Sequence, residues 1–414
     1  MFDSHPLADT INSFMEHLSR ETGEGDAAFF PREEYHQVLK RGATYYGALQ
    51  NRDGAIIDPD FDLEWHYSTP CFAYVASYLY SLGFEEWHSR ALRALEWSVD
   101  CLAEDRVPQG HSNFYTSLIM RAEQHIGDGG SRCRRAKIAS LDPNRIYDFS
   151  DTKVPPEEIH NWNLLALSGE ARRIKMGLGA PGSEEFTQRH LPYHLDRFTP
   201  EGLYRDGVNS PWNFANPIAY DLLARGAMAD LFDQEFFEGS REKILELLQY
   251  GALTQLFFQD PNGEYTSVGR SSHHTWNEAC LALNAEWAAG MMKEIHLPLA
   301  RSFRRQAQLA LRSLSDCYEE EGRLYILRNR FPIHERQGYE QYSVSTTYNL
   351  WILASLAMAA EKAEESIPAG EIPSERFSYG VYGGDSFHLL AAAGGGSFIC
   401  ADLCGDPVSN PTGI

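Results

Sequence analysis

The chain has 414 residues, 43% of them hydrophobic, and a formal net charge of −22. That length can bury one large core, or a helical domain with a small second unit, and the composition excludes a disordered or fibrous chain. The charge excludes nucleic acid as a partner, because a phosphate-binding surface needs clustered Lys and Arg, yet it does not set the sign of the potential inside a cleft.

The N-terminus, MFDSHPLADTINSFMEHLSR, lacks the basic start, apolar run and small-residue cleavage site of a signal peptide. No stretch of about 18 uncharged apolar residues occurs, so no membrane span is expected. The expected location is the cytoplasm, or outside the cell if a leader precedes this chain. The cysteines, Cys71, Cys101, Cys133, Cys280, Cys317, Cys400 and Cys404, are odd in number and show no metal-type CxxC spacing. They are expected as reduced thiols.

Apolar residues recur at helical spacing over 5–20, 32–49, 68–82, 86–104, 112–127, 157–177, 184–197, 212–231, 239–258, 272–293, 295–319 and 343–365. Two such helices span roughly 50 to 60 residues, and no sequence repeat of that period stands out. The fold class expected is mainly α: an incomplete or closed (α/α) toroid of about six helix pairs over residues 1–370. What favours a toroid is that the unusual residues fall at or just before alternate helix starts. These are DFDLEWHYSTPCF, QGHSNFYTS, EEIHNWN, DGVNSPWNFANPIAY, GRSSHHTWNE and GYEQYSVSTTYN. A ring of helix pairs carries such starts to one rim, where an extended sugar can lie.

In the first of these segments Asp60, Asp62, Glu64, Trp65, His66 and Tyr67 mix carboxylates with aromatics, and the second adds His111. Sugars present apolar faces that stack on rings and hydroxyl rims that need polar partners. In the third, His160, Asn161, Trp162 and Asn163 open a helix, where an Asn commonly caps. The functional reading is that Asn161, helped by His160, hydrogen-bonds a substrate carboxylate. In the fourth, the Asp206-Gly207 turn precedes Asn209, Trp212, Asn213, Asn216, Pro217 and Tyr220. A lone helical Tyr is usually packing, but three Asn and a Trp beside Tyr220 make a better sugar-binding face than an apolar one.

The densest cluster runs from Gly269 to Glu278 and holds Arg270, His273 and His274. Helical spacing pairs His273 with Asn277 and His274 with Glu278. No third ligand accompanies them, so no metal site is assigned and no cofactor is required, although a divalent ion is left open. Tyr339, Glu340, Gln341, Tyr342 and Tyr348 repeat the aromatic and polar mixture. Over 371–414 Gly-rich segments alternate with short apolar runs, which predicts two or three strands. Three strands need a surface to pack on, so this β-rich segment either docks on the helices or starts a β-sandwich domain.

With the Asn161-Trp162 helix start, the Asp206-Gly207 turn, Tyr220, the segment bearing His273 and His274 and the β-rich tail, the chain resembles the heparinase II/III-like and alginate-lyase-like polysaccharide lyases. That resemblance implies an (α/α) toroid followed by a β-sandwich, and β-elimination at a uronic acid of an acidic oligo- or polysaccharide. It implies Asn161, with His160 or Arg270, neutralising the carboxylate, Tyr220 as acid to the leaving oxygen, and His273 or His274 taking the C5 proton. Trp65, His66, His111, Trp162, Trp212, Asn216, Tyr339 and Tyr342 complete the expected substrate-binding set. The spacing around the Tyr departs from the family segment, and a complete β-sandwich is lacking. Two other readings stand beside it. One is a glycoside hydrolase acting on glucuronides, with a carboxyl pair drawn from Asp60, Asp62, Glu64, Asp206 and Glu278. The other is a non-catalytic saccharide-binding toroid.

Overall fold

The computed structural model describes residues 2–20, 31–127, 131–147, 159–206, 215–235, 237–265, 268–271, 274–319, 321–341 and 343–405. Twelve long helices match the predicted series: α1 (Ala8–Arg20), α2 (Pro31–Ala48), α3 (Ser68–Ser81), α4 (His88–Ala103), α5 (Tyr115–Ile126), α8 (Asn161–Lys175), α9 (Ser183–Leu195), α10 (Ile218–Asp233), α11 (Arg241–Leu256), α12 (Trp276–Met292), α13 (Leu297–Ser315) and α14 (Ser345–Lys362). Three short helices were not anticipated: α6 (Arg132–Ala139), α7 (Pro143–Tyr147) and α15 (Pro373–Arg376). α6, RCRRAKIA, hides from a periodicity search because it anchors through a charge, Arg134 donating from Nε to Glu123 at 2.8 Å. Among the described residues no helix is long and apolar enough to cross a membrane.

α3, α5, α8, α10, α12 and α14 each pack on the next, and α14 packs on α3, closing an inner ring. An inner helix touches two ring neighbours, an outer helix and the axis, so it is buried nearly all round. α14 is buried at every position from Asn349 to Ala360. Outside them lie α2, α4, α6 with α7, α9, α11 and α13, so the toroid is closed and has six inner and six outer positions. An outer helix such as α13 has one apolar stripe and one wet face.

A short repeat does exist. Four outer helices end in the same tight hairpin, in which Asn51, Thr199, Asp260 and Glu319 donate their amides to the carbonyls of Ala55, Leu203, Glu264 and Arg323 at 2.8–2.9 Å. Each hairpin holds a glycine at positive φ: Gly54 (111°), Gly202 (76°), Gly263 (97°) and Gly322 (97°). A Cβ there would lie 2.3 Å from Arg93 O, 2.3 Å from Gly251 N, 2.1 Å from Leu309 O and 2.7 Å from Arg41 O. Those atoms belong to α4, α11, α13 and α2, in each case the next outer helix, and the last contact joins the end of the ring to its beginning. Only the Gly is constant, three residues after an Asn, Thr, Asp or Glu, too little to register as a repeat in the sequence.

The strands β1 (Tyr379–Tyr382), β2 (Leu389–Gly394) and β3 (Ser397–Asp402) form an antiparallel meander, with Tyr379 opposite Ala393 and Leu390 opposite Ala401. Val381, Leu389 and Ala391 are buried on its inner face. The sheet docks on the helical body: the Tyr379 hydroxyl donates to Phe257 O at 2.7 Å, and Ser386 O accepts from Asn216.

At the far ends of the inner helices a polar network crosses the ring. Asp230 (α10) receives Arg121 (α5) at 2.8 Å, Ser168 (α8) at 2.6 Å and Arg172 (α8). Glu361 (α14) receives Arg121 at 3.2 Å, His125 (α5) at 2.7 Å and Tyr74 (α3) at 2.8 Å. Trp287 (α12) donates to Asp233 at 3.2 Å, which also pairs with Lys362. All six inner helices are thereby tied at that end. The described residues of the expected polar and aromatic clusters lie at the other.

Candidate functional site

The starts of the inner helices meet at one rim, and three of them build a wall of rings. Phe61 and Trp65 lie 4.6 Å apart between centroids, Trp65 and His66 5.6 Å, His66 and His111 3.8 Å, and His111 and Trp162 4.6 Å. His160 meets Trp162 edge-on at 5.0 Å. The loop that carries Phe61 to His66 is pinned from beneath by buried Asp58, whose carboxylate accepts from Thr346 N at 3.1 Å and Thr346 Oγ1 at 2.7 Å. Asp62 (φ 55°), His66 (φ 47°) and Gln109 (φ 50°) all adopt left-handed backbone. Gln109 Oε1 accepts from His66 N at 2.7 Å and fastens two of them together. Below, Tyr67 and Phe114 stack at 3.9 Å over the edge of Trp351.

α8 opens with His160 as its cap: Nδ1 accepts from Trp162 N at 3.3 Å, and His160 N donates to Asn163 Oδ1 at 3.1 Å. Asn161, 2% exposed, donates its backbone amide to Asp206 Oδ1 at 2.7 Å. Its own Oδ1 is buried and accepts no hydrogen bond among the described residues. Burial holds the His160 imidazole below its ordinary range, with Asp206 opposing and Arg197 reinforcing the shift. Arg197, 6% exposed, is a member of this group that no sequence feature marks. It sits in an ordinary helix-end stretch, and only the fold brings it beside Asp206 and His160.

Across from this, Tyr220 in the first turn of α10 shares a 3.0 Å hydrogen bond with Ser271 Oγ. The Arg270 guanidinium stands 5.6 Å from its ring centroid, and Trp276 stacks on it at 6.1 Å. Ser271 has φ 64°, a turn that aims Arg270 and the Ser271 hydroxyl at Tyr220. Arg270 also lines a cleft with Asn216, Pro217 and Phe387 between α10 and the sheet.

Several expected members stand apart. His274 is 1% exposed, takes Trp276 Nε1 at 3.2 Å on Nδ1 and pairs with Ser343 Oγ at 2.9 Å through Nε2. Both nitrogens are engaged, so it packs the α12 entry and is not placed as a base. α12 begins at Trp276, so the one-turn pairing of His274 with Glu278 does not form. Glu278 instead bonds Arg328 at 3.1 Å and Tyr265 N at 3.2 Å. Asn216 donates its amide to Ser386 O at 3.0 Å and so ties the entry of α10 to the sheet, while its Oδ1 accepts no hydrogen bond among the described residues. Glu340 accepts from Asn329 at 2.9 Å, and Asp60 faces Arg323 at 3.8 Å. His273, Trp212 and Tyr342 lie outside the described residues, as does the Tyr339 side chain. Among the described residues no group of three or more His, Cys, Asp and Glu is placed to hold a metal ion.

A closed six-pair (α/α) toroid with a polar and aromatic rim is the class that fold and site define. Neither a protein-family model nor a curated protein matches the chain. Solved structures share the fold. The unsaturated glucuronyl hydrolase from Streptococcus agalactiae superposes with a TM-score of 0.54 at 11% identity, over 81% of this chain and 91% of that one. A possible member of the GH105 family from Klebsiella pneumoniae gives 0.54 at 13%, over 81% and 94%. A polysaccharide lyase gives 0.53 at 11%, over 79% and 97%. At these identities the likeness is one of fold.

Proposed function

We propose that the rim binds a uronic acid of an oligo- or polysaccharide and cleaves the glycan there by β-elimination. The observation that carries this is Tyr220, its hydroxyl hydrogen-bonded to Ser271 and its ring under the Arg270 guanidinium, one inner helix away from Asn161. In this reading Tyr220 enters as the phenolate and takes the C5 proton. The C5–H electrons form the C4–C5 double bond as the C4–O bond breaks, and the Tyr220 proton passes to the leaving oxygen. Asn161 and Arg270 supply donors to the carboxylate, on which negative charge builds, each such donor being worth roughly 3–4 kcal/mol. With His274 engaged elsewhere and His273 outside the described residues, Tyr220 is assigned both roles, base and acid. The fold is shared with a polysaccharide lyase and with a glucuronyl hydrolase alike, which supports an enzyme acting on glycans, and the chemistry needs no cofactor.

Hydrolysis of a glucuronide is the second reading, favoured by the Asp206 carboxylate held at the start of α8 beside His160. The two part on one measurement. A lyase given a saturated uronate glycan raises ultraviolet absorbance through the new conjugated double bond. A hydrolase raises none, and loses existing absorbance if its substrate is already unsaturated. New reducing ends without any change in absorbance on a saturated substrate would sink the elimination reading.

A further inference from the structure

We infer that the stacked His66–His111 pair is a subsite for an uncharged sugar ring, so that the substrate is a hetero-oligosaccharide in which the cleaved uronate has a neutral neighbour. This rests on the reading of the rim as a uronate site.

The pair is built as a face. Its rings are 3.8 Å apart at 22°, and Trp65 and Trp162 extend it on either side. Phe61, at the outer end, is 37% exposed, while Trp65, His66, His111 and Trp162 are each half-buried, so a strip of ring surface faces solvent. At its inner end the strip reaches Trp162 and His160, next to Asn161. A sugar on the strip therefore adjoins the position assigned to the uronate carboxylate.

The backbone is strained to make this face. A non-glycine residue in left-handed backbone is strained, and such strain persists where the surroundings enforce it. Here Asp62, His66 and Gln109 all carry it. The His66 carbonyl is held by the Tyr115 hydroxyl at 3.2 Å and the His111 Nδ1 by Gln109 O at 2.9 Å. Core packing does not require this, because the rings are not fully buried.

The face is also neutral. Burial, and then the neighbouring His111, bring His66 down to about 3. Burial brings His111 down to about 4, with the Gln109 carbonyl opposing and His160 assisting. The titratable groups that act on the pair are these two imidazoles and His160 from α8. An uncharged aromatic face rewards the apolar side of a neutral pyranose, whereas a second uronate would lose hydration there with no cation in return.

The test compares two uronate oligosaccharides that differ only at the sugar next to the uronate, a neutral hexose in one and a second uronate in the other. Binding to the full-length Tyr220→Phe protein by calorimetry needs no turnover. The hexose-bearing ligand is expected to bind roughly tenfold more tightly. That preference is expected to fall to about one in His111→Ala and to stay constant between about pH 5.5 and 8.5, where ordinary histidines titrate. Equal binding, preference for the all-uronate ligand, a preference that survives His111→Ala, or one that follows a midpoint near 6.5 would overturn the subsite. Intact selective binding with no cleavage by the unmodified protein would overturn only the elimination reading.

Discussion

The carboxylate of Asp206 accepts a 2.7 Å hydrogen bond from the backbone amide of Asn161, the first residue of α8. This fastens the connection between α9 and α10 onto the start of an inner helix. The positive end of α8 is thus already occupied by an anion, and under the proposed function a substrate carboxylate would be met by side chains such as Asn161 and Arg270.

Two substitutions separate the proton carriers. Tyr220→Phe keeps the ring on Trp276 and is expected to lower kcat by about 100-fold or more. Asp206→Asn keeps an acceptor for the Asn161 amide and is expected to stay within about tenfold of the unmodified rate. Initial rates on one uronate oligosaccharide decide it. The reverse order, with Asp206→Asn inactive and Tyr220→Phe active, would move the chemistry to hydrolysis.

Asp230→Asn is expected to destabilise the fold by about 3–5 kcal/mol, read by denaturant unfolding, because it leaves Arg121 and Arg172 buried without their shared counter-charge. The pH dependence follows from the same carboxylates. Despite burial, Arg121 and Arg172 hold Asp230 well below its ordinary range, and His125 and Arg121 hold Glu361 down at about 2. Each binds fewer protons folded than unfolded. Their stabilisation is therefore complete above the ordinary carboxylate range and is lost as pH falls toward about 2. Unfolding curves from neutral pH into acid would show that slope flattened in Asp230→Asn.

Glu64 has the opposite sign. It is 8% exposed, neither oxygen finds a well-formed hydrogen bond, and burial pushes it to about 8 although Thr69 offsets part of the effect. The folded state holds its proton where the unfolded chain has released it, so this group lowers stability as pH rises from 4.5 to about 8. Glu64→Gln is expected to match the unmodified protein below pH 4.5 and to exceed it increasingly up to about pH 8, measured as the difference in melting temperature. An unchanged difference across that range would contradict the buried-carboxyl reading.

Gly263→Ala and Gly83→Ala make a matched pair. The glycines share nearly the same φ, 97° and 93°, but a Cβ at Gly263 meets Leu309 O at 2.1 Å, while at Gly83 nothing lies within 4 Å. Gly83→Ala carries only backbone strain, about 1–2 kcal/mol. Gly263→Ala is expected to cost clearly more, because α11 and α13 must separate. Similar unfolding midpoints for the two would show that the hairpins do not brace the ring.

Much of the fold was legible in the sequence because an α-helix writes its period into apolar spacing, and the twelve long helices follow from it. The residues proposed for the rim stand out in the sequence too. Residues such as His66, His111, Asn161 and Tyr220 are costly in a core, and they fall at alternate helix starts. Three-dimensional closure decided the rest. The resemblance implies His273 or His274 as the base, yet Trp276 and Ser343 engage both nitrogens of His274. Asn216 also ties the sheet to the helical body, a contact 170 residues away that its neighbours in sequence do not announce. Arg197 and the glycine hairpins carry no sequence mark, because what defines them is a partner far away in the chain. Local pattern reports which residues form a helix and which are unusual. Only packing assigns each hydrogen-bonding atom its partner, as it does for both nitrogens of His274 and for the Asp206 carboxylate.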